Sequence, residues 1–341
     1  MKLTRRSFVV AASASLAMPS IAKAQNRKLK LSHYLPPQHQ INTELNSWAD
    51  GLREKTGGLV DIEVFPAGQM GPPPRQYDLA RTGVADLSFI FTALTPGRFP
   101  MTDALSVPFL FADANAVPMS TADASHIGTA IRDRTAEEFV GTKLLYAVVT
   151  TSGGYFMRDK LIEKPDDMKG LRVRPTSAIA AEQLKALGAS PATVAPTELA
   201  DAIAKGVVDG AIFNFEGGKA FQLHQSVHKV STLPSSVGYF ALVMNADVLA
   251  GLPAEAQAAI EAASGPEAGK RVGGLYDAAE KAGRDFMVEK GVEVIDIRGE
   301  MAEPFRKALA PVGEAQVAAL KAAGKDVDGL IAEIEKLKGA M

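Results

Sequence analysis

The chain alternates between short runs of period-two hydrophobicity and longer runs of helical periodicity. Apolar and polar residues alternate over positions 28–33, which predicts a first strand. Apolar residues then recur every three or four positions from Ile41 to Leu52, which predicts a helix that ends before Gly57. A second alternating segment at 60–64 predicts the next strand. The amino-terminal part of the chain therefore begins as strand, helix and strand.

The same order continues towards the carboxyl terminus. Strands at 87–91, 144–149, 171–173, 210–213, 239–244 and 292–297 are predicted, with helices at 75–82, 179–187, 198–204 and beyond 297. Helical periodicity also extends over 253–290, with a break near Gly265. Strands that alternate with helices are typical of an α/β fold, and a length of 341 residues suits two domains. Since no Gly- and Ser-rich linker separates the two, we expect several crossing segments to join them as a hinge.

Residues 1–24 have the features of a removable export signal. Arg5 and Arg6 precede an apolar run at 8–18, and the small residues of an A-x-A cleavage site follow at 22–24. The apolar run is about half as long as a membrane span requires, so we predict no membrane anchor. The paired arginines resemble a twin-arginine signal, and a general secretory signal is the alternative. Both routes lead to the periplasm.

Composition and motifs exclude several classes of protein. The chain has no Cys, which excludes disulfides, thiolate metal sites and cysteine nucleophiles. Its net charge of -2 becomes -6 when the four cations of the export signal are removed, so we expect neither nucleic acid nor anionic lipid as a partner. The motifs of serine hydrolases, nucleotide-binding folds and zinc hydrolases are absent. We therefore predict no enzyme, cofactor or metal site, although a catalytic site assembled only in space would escape this search.

The most informative side chains stand where predicted strands end, because ligands of open α/β sheets bind beyond the carboxyl ends of the strands. Arg174 closes the strand predicted at 171–173, and Pro175 prevents that strand from continuing. A guanidinium there can hold a carboxylate through two parallel hydrogen bonds, and from spacing alone a surface salt bridge is an equally good interpretation. Arg75 and Arg98 stand beside turns, where exposure to solvent is the default.

Four motifs occur in order along the chain: V-F-P-A-G-Q at 64–69, D-M-K-G-L-R-V-R at 167–174, L-G-A-S-P at 187–191 and G-V-V-D-G at 206–210. Together they resemble the solute-binding subunits of TRAP (tripartite ATP-independent periplasmic) transporters of the C4-dicarboxylate-binding type. The resemblance covers essentially the whole chain after the export signal. It implies a two-lobed, clamp-like periplasmic solute-binding fold with hinge-crossing strands, a ligand between the lobes and a long helix that spans both.

In that fold we assign residues 25–151 plus about 240–280 to lobe I, and residues 152–239 plus about 281–341 to lobe II. The resemblance implies a binder without enzymatic activity that captures a small organic acid and delivers it to TRAP membrane permease subunits. Arg174 occupies the position of the family's carboxylate clamp. A ligand-presenting sensor partner and a periplasmic enzyme with a spatially assembled site remain the alternatives.

Phe213 stands where many members of the family have Asn or Trp against the ligand, and an aromatic ring there offers an apolar wall. We therefore predict a monocarboxylate with an apolar or aromatic body. Polar candidates near other strand ends would instead seat a second carboxylate, which keeps a C4-dicarboxylate open as the alternative. The candidate ligand-binding residues are Arg174, Phe213, Asn214, His33, Gln38, Arg75, Gln76, Phe91, Thr92, Ser152 and Tyr239.

Overall fold

The computed structural model describes residues 28–151 and 153–341. The predicted export signal at 1–24 and the candidate Ser152 lie outside the described residues. The strands are β1 (Lys28–His33), β2 (Asp61–Phe65), β3 (Leu87–Phe91), β4 (Thr142–Thr150), β5 (Gly154–Met157), β6 (Arg172–Arg174), β7 (Ser190–Pro191), β8 (Gly210–Phe213), β9 (Lys229–Thr232), β10 (Gly238–Asn245) and β11 (Glu293–Asp296). The helices are α1 (Gln40–Lys55), α2 (Gln76–Arg81), α3 (Pro100–Asp103), α4 (Thr121–Ala130), α5 (Arg132–Thr135), α6 (Ala178–Ala186), α7 (Leu199–Ala204), α8 (Phe215–Ala220), α9 (Ala246–Ala250), α10 (Ala254–Ala262), α11 (Pro266–Glu289), α12 (Glu303–Ala322) and α13 (Val327–Lys338).

Two mixed sheets form the centres of two lobes. The first sheet has the strand order β2-β1-β3-β10-β4, in which β10 runs antiparallel to both of its neighbours and β1 lies parallel to both of its own. The second has the order β11-β9-β5-β8-β6-β7, in which β5 is antiparallel to β8 and β9. The part built on the first sheet is lobe I, and the part built on the second is lobe II.

The chain crosses between the lobes in neighbouring strands. β4 of lobe I leads through residues 151–153 into β5 of lobe II, and β9 of lobe II returns through residues 233–237 to β10 of lobe I. Gly154 pairs with Thr232 across the lobe II end of these crossings. Two short crossings side by side allow the lobes to rotate while remaining connected, which is the arrangement expected of a hinge.

A third connection is α11, a helix of 24 residues that packs against α4 of lobe I and α8 of lobe II. Asp277 accepts hydrogen bonds from the first two amides of α4, at 2.7 and 2.9 Å. Glu280, one turn further along, accepts hydrogen bonds from the first two amides of α8, at 3.0 and 2.8 Å. Each carboxyl group satisfies amide groups that a helix leaves free in its first turn. One face of α11 therefore holds both lobes.

Glycines allow α11 to approach these helices closely. A Cβ added at Gly273 would lie 2.5 Å from the carbonyl oxygen of Thr121, and one added at Gly283 would overlap the carbonyl group of Phe215. At Gly274, on another side of the helix, an added Cβ would meet nothing within 4 Å. The contact of α11 with each lobe thus depends on small residues at defined positions.

The first of the two carboxyl-terminal helices, α12, contacts both lobes, since its Leu320 is buried with strand residues of lobe I, whereas α13 packs on lobe I. Phe305 and Leu309 of α12 are buried in the core of lobe II. Val327, Leu330 and Ile334 of α13 are instead buried in a cluster with strand residues of lobe I. The packing of α13 on lobe I therefore differs from the sequence prediction, which placed all of residues 281–341 in lobe II.

Candidate ligand-binding site

A cleft of about 660 Å³, including its open mouth, is lined by residues of both lobes and by the crossing segments. Residues at or just beyond the carboxyl ends of β1, β3, β6 and β8 contribute to it, as expected for an α/β sheet. The lining residues are Tyr34, Leu35, His39, Phe91, Thr150, Gly153, Arg174, Thr176, Pro196, Ile212, Phe213, Asn214, Glu216, Gly217, Phe221, Ser236, Val237, Gly238, Phe240 and Tyr276.

Arg174 brings a buried positive charge to the cleft. It ends β6 beside Val173, which is anchored in the core of lobe II, and it is only 4 % exposed. Its Nε donates a hydrogen bond to the carbonyl oxygen of Val194 at 3.2 Å. Within residues 28–151 and 153–341, neither terminal nitrogen has a hydrogen-bond or ion-pair partner. Burial lowers the pKa of Arg174 to about 10, so the group is protonated at neutral pH. An unpaired buried cation is costly, and the cleft is therefore suited to an anion.

Two hydroxyl groups lie near this guanidinium. Thr176 follows Arg174 by two residues, and its buried Oγ1 has no hydrogen-bond partner among the described residues. Burial raises the pKa of Tyr34, and the nearby charge of Arg174 opposes that rise. Both hydroxyl groups can donate a hydrogen bond to an anion held by Arg174.

Aromatic rings from both lobes form the apolar walls of the cleft. On lobe I, Phe91 stacks on Phe240 with ring centroids 4.6 Å apart, and Phe240 lies 5.8 Å from Tyr276. On lobe II, the ring of Phe213 lies 6.1 Å from that of Phe221, edge to face. The guanidinium carbon of Arg174 lies 5.5 Å from the centre of the Phe213 ring. This arrangement suits a flat or apolar body whose charged end faces the arginine.

A buried carboxylate, Glu216, also lines the cleft. It lies in the first turn of α8, and its Oε1 is 2.6 Å from Nε2 of His39 and 2.9 Å from Nε2 of Gln40. Both partners belong to lobe I, whereas Glu216 belongs to lobe II. No ion pair joins Glu216 to Arg174 in the described part of the chain. The cleft therefore has two separate charged positions of opposite sign.

The structure brings four of the predicted residues together in the cleft, namely Arg174, Phe213, Asn214 and Phe91. Gln38 and Arg75 are exposed and lie outside the lining. Ser152 is not among the described residues.

Four further candidates are buried outside the lining, each with a protein partner. His33 shares a hydrogen bond with Asn42 at 3.1 Å, and burial lowers the pKa of His33 to about 4. Gln76 accepts a hydrogen bond from a serine hydroxyl of β1 at 2.7 Å. The hydroxyl of Thr92 donates to the carbonyl oxygen of Tyr239, and the hydroxyl of Tyr239 donates to the backbone of α4, both at 3.1 Å. These bonds orient the four side chains within lobe I.

Other lining residues were not among the candidates, and a signal for two of them was present in the sequence. Glu216 stands three residues beyond the strand predicted at 210–213, and His39 stands just before the helix predicted from Ile41. Both positions are where α/β proteins place ligand contacts. Tyr276 carried no such signal, because it lies in the middle of a long helix.

The described residues contain no group of three or more His, Asp or Glu side chains arranged to hold a metal ion. None of the helices in residues 28–151 and 153–341 is long and apolar enough to cross a membrane.

A family model described as "Bacterial extracellular solute-binding protein, family 7" matches residues 31–319. This chain belongs to that family. Among relatives of this family 7 protein, the C4-dicarboxylate-binding periplasmic protein DctP of Rhodobacter capsulatus is 25% identical over 342 residues, which cover 94% of this chain and 99% of DctP.

Other curated relatives are longer or match only in part. The uncharacterized protein YiiZ of Salmonella typhimurium is 25% identical over 52% of this chain and 54% of its own length. The uncharacterized protein y4mM of Sinorhizobium fredii is 26% identical over 92% of this chain and 58% of its own length. This family 7 chain therefore spans a little over half the length of these two relatives.

Solved structures confirm the predicted fold. A TRAP solute-binding protein from Rhodoferax ferrireducens, in complex with copurified benzoate, has a TM-score of 0.84 at 26% identity and covers 91% of this chain and 97% of its own. A TRAP solute-binding protein from Bordetella bronchiseptica, with bound (R)- and (S)-mandelate, has a TM-score of 0.82 at 25% identity. The match covers 92% of this chain and 100% of the Bordetella chain. The predicted resemblance to TRAP solute-binding subunits is likewise confirmed.

Proposed function

We propose that this family 7 protein binds a small monocarboxylate with an aromatic or apolar body between its lobes and delivers it to TRAP membrane permease subunits. The observation that carries the proposal is the buried guanidinium of Arg174 in the cleft, whose two terminal nitrogens have no partner among the described residues. A bound carboxylate would pair with both terminal nitrogens and offset the cost of burying the charge. Thr176 and Tyr34 line the same cleft, and hydrogen bonds from their hydroxyl groups would add to this pairing.

The aromatic walls support an aromatic or apolar body. The stacked pair of Phe91 and Phe240 faces the cleft from lobe I, and Phe213 and Phe221 face it from lobe II. Rings in this arrangement favour a flat apolar group by burying its surface and by ring-to-ring contact. The benzoate and mandelate bound by the Rhodoferax and Bordetella proteins are acids of this kind.

A C4-dicarboxylate is the second candidate, because the Rhodobacter relative is a C4-dicarboxylate-binding protein. The cleft itself favours a monocarboxylate. Away from Arg174, the charged group that lines it is the carboxylate of Glu216, which would repel a second carboxylate. The exposed position of Arg75 outside the lining gives no support to a second cationic contact.

Membership of the family supports binding without catalysis and delivery to a permease. The periplasmic location rests on the predicted export signal together with that membership. A sensor partner would use the same cleft and differ only in the membrane protein that receives the closed form.

A thermal-shift screen followed by calorimetry tests the proposed function. Benzoate, phenylacetate and mandelate are compared with succinate and with methyl benzoate, which has the ring but not the charge. We expect at least one aromatic acid to raise the melting temperature, because a ligand at 100 times its Kd stabilises by about 2.7 kcal/mol. Chromatography of the ligand after denaturation should recover it unchanged.

A shift with succinate and none with the aromatic acids would contradict the monocarboxylate assignment. A shift with methyl benzoate equal to that with benzoate would contradict the role of the carboxylate. Conversion of the recovered ligand to another compound would instead indicate the enzyme alternative.

A further inference from the structure

Glu216 is the cleft residue that binding of a carboxylate at Arg174 leaves unexplained. Glu216 is 7 % exposed, and its Oε1 accepts hydrogen bonds from the side chains of His39 and Gln40. In the described part of the chain, its second oxygen, Oε2, has no hydrogen-bond partner. Oε2 is therefore free to accept a hydrogen bond from a bound ligand, and the burial of the side chain favours such a donor.

The hydrogen bonds of His39 determine which of its nitrogens carries the proton. Its Nδ1 accepts a hydrogen bond from the backbone N–H of Ile41 at 3.2 Å, at the start of α1. Nδ1 is therefore unprotonated, and the proton on Nε2 is donated to Glu216. His39 thus donates to Glu216 through Nε2 while its other ring nitrogen is held by the backbone.

A second unpartnered group lies beside this carboxylate. The buried hydroxyl of Tyr276 has no hydrogen-bond partner among the described residues, and its ring lies 6.2 Å from that of His39. Burial raises the pKa of Tyr276, and the charge of Glu216 adds to that rise, which places the phenol within electrostatic reach of the carboxylate. Tyr276 can donate where Oε2 of Glu216 can only accept.

We propose that Glu216 and Tyr276 form a recognition site for a hydroxyl group on the ligand, so that the protein selects hydroxylated aromatic monocarboxylates. The ligand hydroxyl donates to Oε2 of Glu216 and accepts from the Tyr276 hydroxyl. This inference rests on the proposed function, since it takes the ligand carboxylate to be held by Arg174. A hydroxyl fits both groups because it is donor and acceptor at once.

The same contact links recognition to closure. His39 and Gln40 lie on lobe I and Glu216 on lobe II, so the carboxylate is held in position only when the lobes are together. A hydroxyl bonded to Glu216 therefore interacts more strongly with the closed form than with the open form. Such a difference is what allows a ligand to shift a conformational equilibrium.

Calorimetry with matched pairs of acids tests the inference. Each isomer of hydroxybenzoate and hydroxyphenylacetate is compared with the fluoro acid substituted at the same position, which is similar in size and cannot donate. We expect the wild-type protein to bind at least one hydroxy acid roughly tenfold or more tightly than its fluoro partner. In Glu216→Leu that preference should disappear, and in Tyr276→Phe it should shrink.

The outcomes separate this inference from the proposed function. If benzoate binds and no hydroxy acid is preferred to its fluoro partner, the inference is overturned while the monocarboxylate assignment stands. If no acid of the panel binds to the wild-type protein, both fail. The comparison of ligands on the wild-type protein does not depend on the folding of any variant. A preference that survives unchanged in a folded Glu216→Leu protein would also overturn the inference.

Discussion

Replacement of Arg174 by methionine separates the role of its charge from the role of its bulk. Methionine fills part of the space of the arginine stem and keeps apolar contact with Phe213, whose ring lies 5.5 Å from the guanidinium carbon. The substitution removes the hydrogen bond to Val194 and the two unpartnered terminal nitrogens. Binding and stability are expected to change in opposite directions.

For binding, the magnitude follows from the burial of the ion pair. Two unit charges 4 Å apart attract by about 4 kcal/mol at an effective dielectric constant near 20. Removing one partner of a buried, hydrogen-bonded charge pair costs about 2–5 kcal/mol. At about 1.4 kcal/mol for each factor of ten, the Kd for benzoate should rise by about 30-fold to several thousandfold.

For the unliganded protein, removing the charge of Arg174 is expected to favour folding. Burial lowers the pKa of Arg174 from 12.5 to about 10, and that difference corresponds to about 3 kcal/mol against the charged form. Because the cation is less favourable in the folded state, this cost is present at every pH below about 10, including neutral pH. Arg174→Met should therefore unfold no more easily than wild type when no ligand is bound.

Calorimetry with benzoate and urea unfolding without ligand measure the two effects. Arg172→Ala is the matched control, because Arg172 is half exposed and pairs with Asp209 at 3.0 Å outside the cleft lining. It should leave the Kd unchanged. An Arg174→Met protein that binds benzoate with the wild-type Kd would refute the role of the charge. A loss of several kcal/mol of unliganded stability would show that the guanidinium has a structural role instead.

Two further predictions concern the long helix. Gly273→Ala should destabilise the fold by about 1–3 kcal/mol in urea unfolding, because its Cβ would lie 2.5 Å from the carbonyl oxygen of Thr121. Gly274→Ala, with free space around the added Cβ, should instead stabilise the fold by up to about 1 kcal/mol. Equal changes in stability for the two variants would argue against the close approach of α11 to α4. Burial raises the pKa of Glu280 to about 8, so the folded state holds this proton more tightly than the unfolded chain does. The contribution of Glu280 to the free energy of unfolding should therefore be complete below the ordinary carboxyl pKa of 4.5, and it should be lost as the pH rises to about 8. Glu280→Gln should flatten that decline in urea titrations between pH 5 and 8, and an unchanged slope would refute the assignment.

The elements with a strong local pattern were predictable. β3 (Leu87–Phe91) and β8 (Gly210–Phe213) have the predicted bounds, since both are short apolar runs limited by turn residues. The predicted break near Gly265 separates α10 from α11, because glycine there adopts a positive φ of 85°. Such signals act within a few residues and can be read without knowledge of the fold.

The strands β5 (Gly154–Met157) and β9 (Lys229–Thr232) were not predicted. Each has four residues, and β9 contains a single apolar side chain, Val230. Neither has enough residues to show a period. They are strands because they pair with each other at the crossing between the lobes, which is a property of the assembled sheet.

The sequence by itself determined the α/β order, the family and the arginine at the end of β6, because periodicity and the limits that Pro175 places on the backbone are local. Only the tertiary structure decided which side chains face the cleft. Thr92 follows a strand end but bonds within lobe I, whereas Gln40 and Glu216, 176 residues apart, meet across the cleft. The physical reason is that the direction of a side chain depends on the packing of the lobes, and this packing brings together groups that no local pattern connects.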